Sequence, residues 1–106
     1  MFFIFGKKKY DSIRTDELVA NRGKLTLIDV RERSEYKTGH VPNAKNIPLG
    51  ELLKDPEKYL KKEREYHMMC RSGSRSSRAC KKLSALGYQV VNVNGGLMSY
   101  DLPLKK

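Results

Sequence analysis

Three short runs of apolar and β-branched residues, separated by helix-like segments, set the strongest limit on how this chain folds. They cover residues 25–30, 66–69 and 90–93. The first run, LTLIDV, is apolar or β-favouring at nearly every position, which is typical of a strand covered on both faces of a parallel sheet. Strands that alternate with helices pair in parallel, so the sequence predicts an α/β fold.

Helices and one weak strand are predicted in the first half of the chain. Thr15 can cap a helix that runs to about Ala20, because two acidic residues follow it in the first turn. Ser34 can cap a one-turn helix that ends before Gly39. Residues 44–47 lie between two prolines and form at most a short strand.

The second half of the chain carries stronger helical patterns. Residues 49–62 are helical in character but are interrupted by Pro56. A longer helix is predicted from about Ser74 to a stop at Gly87. The apolar side chains expected on one face of that helix are Ala79, Leu83 and Leu86. A last short helix is predicted near residues 97–100, and the expected buried residues of the 49–62 segment are Leu52, Leu53, Tyr59 and Leu60.

Composition limits the classes of partner and compartment. The chain has 106 residues and a formal charge of +10, so we expect one domain that attracts anions. No RNA-binding aromatic motif or basic amphipathic helix accompanies this charge, and we expect neither nucleic-acid binding nor stable membrane insertion. Two cysteines do not make a disulfide framework, and residues 1–9 place apolar residues before lysines, the reverse of a secretory signal. The expectation is a cytoplasmic protein with free thiols and a short N-terminal tail.

Polar and glycine-rich segments follow the three predicted strands. They are DVR at residues 29–31, CRSG at residues 70–73 and NGG at residues 94–96. Ligands of parallel sheets bind beyond the carboxyl ends of the strands. If these three ends lie side by side, they line one pocket.

The segment that begins at Cys70 has the features of an anion-binding loop. Gly73 allows conformations in which successive N–H groups point inward, and the following helix adds its positive dipole end. Arg71 and Arg75 add full charges. A cysteine in this setting has a lowered thiol pKa and is a nucleophile. The predicted catalytic residue is therefore Cys70, with an active-site loop of Arg71, Ser72, Gly73, Ser74, Arg75 and Ser76.

The remaining thiol and imidazole groups are given structural roles. Cys80 lies on the predicted apolar helix face and is interpreted as a packed free thiol, with a resolving role as the minority alternative. His67 and Cys70 have an H-x-x-C spacing, but residues three apart on a strand point to opposite faces. With no other cluster of ligands in the sequence, we expect no metal and no cofactor. His40 is treated as structural, and the sequence does not place His67 as buried or exposed.

Three motifs together resemble the single-domain rhodanese family of sulfurtransferases. They are "LIDVRERSEYKTGHVPNAKNIPLGEL", "CRSGSRS" and "LGYQVVNVNGGLMSYD", and they place the domain at residues 10–102, between tails at 1–9 and 103–106. The resemblance implies a central five-stranded parallel sheet with helices on both faces. It also implies that Cys70 takes a sulfane sulfur from a small anionic donor such as thiosulfate. The resulting persulfide then passes the sulfur to a thiol, cyanide or protein acceptor.

Supporting roles are expected around the loop. The resemblance implies that Asp29 and Arg31 buttress the site. At a strand end, Asp29 is expected to accept hydrogen bonds from loop N–H groups rather than to act as a base. Arg31 and Glu35 are four residues apart and can pair. The turn at Gly95 and Gly96 is expected to support the loop from the neighbouring strand.

Two other functions remain open on the sequence. Cysteine-loop phosphatases and arsenate reductases use a Cys-x5-Arg loop, whereas Cys70 and Arg75 form a Cys-x4-Arg loop. The shorter loop favours a single sulfur atom over a phosphate, and no acid for an alkoxide leaving group is evident near it. A non-catalytic rhodanese-like binding module is the second alternative, and the complete loop argues against it.

Overall fold

A five-stranded parallel sheet forms the centre of the computed structural model, which describes residues 10–106. The strands are β1 (Asp11–Arg14), β2 (Leu27–Asp29), β3 (Lys45–Asn46), β4 (Glu65–Met69) and β5 (Gln89–Asn94). Their order in the sheet is β1-β5-β4-β2-β3, and every neighbouring pair is parallel. The five-stranded parallel sheet implied by the resemblance is confirmed, and β2, β4 and β5 fall within or around the three runs predicted as strands.

Five α-helices connect the strands. They are α1 (Thr15–Asn21), α2 (Arg33–Thr38), α3 (Leu49–Lys54), α4 (Pro56–Tyr59) and α5 (Ser74–Ala85). Two 3-10 turns, Arg22–Lys24 and Gly96–Ser99, complete the regular structure. None of the helices in the described residues has the length and apolar character required to cross a membrane.

Side chains on the two faces of the sheet form two separate cores. On β4, Met68 packs with Leu83 of α5, whereas the adjacent Met69 packs with Leu18 of α1. This alternation follows from the two-residue period of a strand. All four side chains are fully buried. Helices therefore cover both faces, as predicted.

Local sequence patterns were correct about some helix ends and wrong about others. Pro56 separates α3 from α4, as predicted, and occupies the first turn of α4. The N-cap of α2 is Glu32 rather than Ser34, because Glu35 accepts a hydrogen bond from the Glu32 backbone N–H at 2.9 Å. Leu86 does not join the buried face of α5: the helix ends one residue earlier, and Leu86 is 46% exposed.

The apolar residues predicted to be buried in the α3–α4 segment divide into two groups. Leu52 and Leu60 are fully buried, while Leu53 and Tyr59 are partly buried against the same core. All four therefore face inward to some degree, which confirms the predicted inner side of this segment.

Only one of the two predicted tails lies within the described residues. The N-terminal tail, residues 1–9, lies outside the described residues. In the predicted C-terminal tail, Lys105 exchanges two backbone hydrogen bonds with His40, at 2.9 and 2.8 Å. The His40 ring stacks on Tyr36 with centroids 3.7 Å apart. These contacts give His40 the structural role that was expected of it.

Candidate active site

The carboxyl ends of β2, β4 and β5 lie side by side, because β4 is hydrogen-bonded to both of the other strands. The three predicted segments therefore meet at the carboxyl end of the sheet. Cys70 follows the last residue of β4 directly, and Gly73 is the N-cap of α5. The strand and the helix hold the loop from both ends.

The sulfur of Cys70 sits among hydrogen-bond donors of its own loop. The backbone N–H groups of Gly73 and Ser76 donate to Sγ at 3.1 and 3.4 Å, and Ser76 Oγ lies 3.5 Å away. Gly73 has a φ of 103°, and a Cβ there would lie 3.3 Å from the carbonyl oxygen of Val93. The tight curve of the loop therefore requires glycine at this position.

Two opposing effects act on the pKa of the Cys70 thiol. Burial disfavours the thiolate and is the largest single effect. Hydrogen bonds from the Ser76 hydroxyl and from the backbone of Ser76, Gly73 and Ser72 favour the thiolate and together outweigh burial. The pKa of Cys70 is therefore held below its ordinary value. The sequence predicted this lowering from the helix N-terminus and from neighbouring cations together, and hydrogen bonds within the loop are the causes that lower it here.

The turn at Gly95 and Gly96 holds the loop from behind. The N–H groups of Leu97 and Met98 donate to the carbonyl oxygens of Cys70 and Arg71, both at 2.9 Å. Gly96 has a φ of 51°, and a Cβ there would lie 2.4 Å from the Cys70 carbonyl oxygen. Gly95 has a φ of 90°, and its Cβ would lie 2.6 Å from Ser99 Oγ. These bonds turn the loop carbonyls away from the sulfur and leave its N–H groups to face it.

Sequence reasoning missed two residues that support this arrangement. Thr15 Oγ1 donates to the carbonyl oxygens of Asn94 and Gly96, at 3.1 and 2.9 Å. It is not the predicted helix cap, since α1 begins at Thr15 itself. Asn92 Nδ2 donates to the Gly73 carbonyl oxygen at 3.3 Å. A polar residue within the apolar β5 run was the one signal for Asn92.

Asp29 and Arg31 form a buried ion pair beside the loop. Arg31 Nη2 lies 2.8 Å from Asp29 Oδ2, and the backbone N–H of Arg31 donates to Asp29 Oδ1 at 3.0 Å. Arg31 Nη2 also donates to the Gly39 carbonyl oxygen at 2.9 Å. Asp29 is thus a hydrogen-bond acceptor, but its donors are the backbone N–H and the guanidinium of Arg31 rather than the N–H groups of the Cys70 loop. The predicted pairing of the Arg31 and Glu35 side chains is wrong, because Asp29 is the carboxylate that Arg31 contacts.

Glu35 pairs instead with Arg75 across the loop. The two contacts are 2.6 Å from Nη1 to Oε1 and 2.9 Å from Nη2 to Oε2. The hydrogen bond from Arg75 is the main cause that lowers the pKa of Glu35 to about 2. Arg75 was expected to add a full charge to the anion site, but the Glu35 carboxylate compensates that charge. The partners are 40 residues apart, so no local spacing announces the pair.

A cleft of about 600 Å³ opens beside the loop. Its lining residues are Arg31, Ser34, Glu35, Thr38, Arg71, Leu97 and Met98. Arg71, Ser72 and Ser74 are exposed on the loop, and Ser72 Oγ accepts a hydrogen bond from the Ser74 N–H at 3.4 Å. The loop therefore has an outer surface open to solvent and an inner surface that faces the sulfur.

The other thiol and the strand histidine lie away from this chemistry. Cys80 is fully buried, and burial raises its pKa to about 12, in agreement with a packed thiol. His67 is also buried, its Nδ1 has no hydrogen-bond partner among the described residues, and burial lowers its pKa. Within residues 10–106 no group of three or more His, Cys, Asp or Glu side chains could hold a metal ion.

Comparisons with known proteins show the family to which the chain belongs. The family model described as a rhodanese-like domain matches residues 14–102. The chain belongs to the rhodanese-like family. It is 40% identical to "Putative sulfurtransferase YtwF" of Bacillus subtilis, over 89% of this chain and 90% of that protein. It is 32% identical to "Sulfurtransferase" of Allochromatium vinosum, over 85% of this chain and 84% of that protein.

A solved structure extends the likeness to the fold. The rhodanese-related protein of Thermoplasma volcanium superposes with a TM-score of 0.82 and 36% identity. The match covers 91% of this chain and 98% of that one. The fold of this chain is therefore that of single-domain rhodanese-like proteins.

Proposed function

We propose that the protein is a sulfurtransferase that carries a sulfane sulfur as a persulfide on Cys70. The donor is thiosulfate or another persulfide-type compound, and the acceptor is a thiol, cyanide or a protein. The names of both relatives and the rhodanese-like domain support sulfur transfer in general. One observation carries the mechanism: the buried sulfur of Cys70 accepts hydrogen bonds from the N–H groups of Gly73 and Ser76.

The first half-reaction is a displacement at sulfur. The Cys70 thiolate attacks the outer sulfur of thiosulfate and forms a new S–S bond. The old S–S bond breaks, and its electron pair leaves with sulfite. Negative charge is conserved, so no proton has to move and no general acid is needed. In the second half-reaction, a thiolate or cyanide attacks the outer sulfur of the persulfide and releases the Cys70 thiolate.

The loop stabilises the charged species on both sides of this step. Donors already directed at the sulfur act without reorganisation as charge develops there. Thiolate and persulfide are both anions, so the N–H groups that lower the pKa of Cys70 serve both forms. The buttressing ion pair of Asp29 and Arg31 lies at the adjacent strand end and fixes the wall of the site.

Two features favour sulfur over phosphate or arsenate as the transferred group. Cys70 is 1% exposed, so a single sulfur atom reaches it more readily than a tetrahedral oxyanion. Arg75, the counterpart of the arginine in longer cysteine loops, is neutralised by Glu35. The same hydrogen bonds to Sγ argue against a non-catalytic binding module, because such a module has no need of an activated thiol.

Mass spectrometry of the intact protein tests the proposal. After incubation with thiosulfate and removal of excess donor, we expect one added sulfur atom, which peptide mapping places on Cys70. Cyanide should then remove it and yield thiocyanate. The C70S variant is the control and should gain no sulfur. An unmodified wild-type protein, or a sulfur on Cys80, would contradict the proposal.

A further inference from the structure

The cleft beside the Cys70 loop carries less positive charge than its three neighbouring arginines suggest. Arg31 is paired with Asp29 inside the protein, and Arg75 is paired with Glu35 at the cleft. Arg71, which also lines the cleft, makes no ion pair with any residue in the described part of the chain. Counting these five side chains, the surroundings of the cleft hold a single uncompensated positive charge.

One wall of the same cleft is apolar. Leu97 and Met98 line it, and Met98 is 66% exposed. The Met98 backbone N–H donates to the Arg71 carbonyl oxygen at 2.9 Å, so the two residues are adjacent, and both line the cleft. A flexible, polarisable methionine adapts to apolar groups of varied shape. The cleft thus offers one positive charge and one apolar surface side by side.

We infer that the cleft selects monoanionic organic sulfur donors, such as thiosulfonates and organic persulfides, over the thiosulfate dianion, and that Glu35 is the residue that imposes this choice. The inference rests on the proposed function, since it concerns the donor for the same persulfide step. Arg71 would hold the single negative charge, and Leu97 and Met98 would contact the organic group. The Glu35 carboxylate would oppose a second negative charge in the cleft.

Glu35 reduces the positive charge of the cleft in two ways, and the two effects have the same sign. It lines the cleft itself, and it removes Arg75 as a free cation through two contacts of 2.6 and 2.9 Å. Its pKa of about 2 keeps it ionised at every pH at which a thiolate reacts. Because Arg75 partly cancels the carboxylate's field, we expect a discrimination of about tenfold rather than the hundredfold of an isolated charge.

A matched pair of donors isolates the charge. Methanethiosulfonate differs from thiosulfate by a methyl group in place of one oxygen, so its shape is similar and its charge is −1 instead of −2. With either donor the Cys70 thiolate bonds to the outer sulfur and the donor's S–S bond breaks. Methanesulfinate or sulfite leaves with the electron pair, and cyanide takes the sulfur from Cys70 in the second step.

The test compares kcat/KM for the two donors, with cyanide as acceptor, in the wild type and two amide variants. Glu35→Gln removes the charge but keeps an oxygen to accept the Glu32 N–H. Glu51→Gln is the control, because Glu51 also pairs with an arginine, Arg33, but does not line the cleft. We expect the thiosulfate to methanethiosulfonate ratio to rise about tenfold in E35Q and to stay unchanged in E51Q. An unchanged ratio in E35Q overturns the inference.

A second variant tests the apolar wall without touching α2. Met98→Ser should lower kcat/KM for benzenethiosulfonate about fivefold, since an apolar contact of one side chain is lost. The value for thiosulfate should hardly change. Equal losses for both donors would overturn the assignment of this wall. Persulfide formation with both donors but no Glu35 effect would refute the donor preference alone, whereas no persulfide with any donor would refute the proposed function as well.

Discussion

Cys70 and Cys80 belong to the same buried cluster, yet their surroundings give them opposite chemistry. Cys70 directly follows β4 and is 1% exposed, and Cys80 lies within α5 and is 0% exposed. The pKa of Cys70 is lowered, whereas burial raises the pKa of Cys80 to about 12. Loss of water therefore does not distinguish the two thiols. The difference is the set of N–H and O–H donors that the Cys70 loop directs at one sulfur.

Replacing each cysteine in turn should give the largest difference in activity between two variants. Cys70→Ser should reduce sulfur transfer to background, because no nucleophile remains. Cys80→Ala should keep turnover near wild type and lower stability by about 1–2 kcal/mol through the small cavity it leaves. Thiocyanate formation and denaturant unfolding measure the two effects. Loss of most activity in C80A would show that the second thiol has a chemical role.

Displacement of the loop should raise the pKa of Cys70 towards that of Cys80. In Gly96→Ala the new Cβ would meet the Cys70 and Arg71 carbonyl oxygens, at 2.4 and 2.7 Å, with φ at 51°. We expect a loss of stability of about 2–5 kcal/mol from clash and strain. Turnover should fall and the thiol pKa should rise as the N–H groups leave the sulfur.

Gly50→Ala is the matched control for this glycine. Gly50 lies in α3, and a Cβ at this position would have no neighbour within 4 Å in the described part of the chain. Alanine there should raise stability by about 0.5–1 kcal/mol and leave turnover unchanged. Equal behaviour of the two variants in unfolding and turnover assays would contradict the support role of Gly96.

Removal of one donor should have the smallest effect. Ser76→Ala deletes the hydroxyl next to Sγ but leaves the Ser76 backbone N–H in place. Because the folded-state pKa of Cys70 is lowered, persulfide formation should persist as pH falls below the ordinary thiol range. In S76A the pKa rises, so the acidic limb of the pH–rate profile should move to higher pH. Single-turnover rates against pH measure this shift.

Ser84→Ala provides the comparison for that variant. Ser84 also lies on α5, and its hydroxyl donates to the Lys81 carbonyl oxygen rather than to sulfur. The limb should not move in S84A. If S76A and S84A gave the same profile, the hydroxyl of Ser76 would not contribute to the thiolate.

Much of the fold could be predicted because its central strands can be recognised from their apolar sequences. The runs that became β2, β4 and β5 are nearly continuous in apolar residues, since both of their faces are covered. Strand β1 was not predicted from its residues, because Ile13 is the one aliphatic residue among its four. It becomes a strand through pairing with β5 along the edge of the sheet.

The site could be predicted where its chemistry is local and not where it depends on distant pairing. The Cys70 loop is one continuous segment of the chain. Its glycine and the start of the following helix are therefore enough to predict an anion-binding loop. The partners of Arg75 and Thr15 lie 40 and 79 residues away, so sequence spacing gave each a different role. Leu86 shows the same limit, since helical periodicity continued past the residue at which α5 ends.

The backbone bonds from Leu97 and Met98 to the Cys70 and Arg71 carbonyls also link the chemistry of the thiol to folding. The loop and residues 94–98 are separate in sequence, so the loop is held only after the 94–98 segment has docked against it. Until that segment docks, the loop carbonyls have no partners and its N–H groups are not fixed on the sulfur. We therefore expect the Cys70 thiol to keep an ordinary pKa until residues 94–98 dock, so that formation of the last strand and lowering of the thiol pKa are coupled.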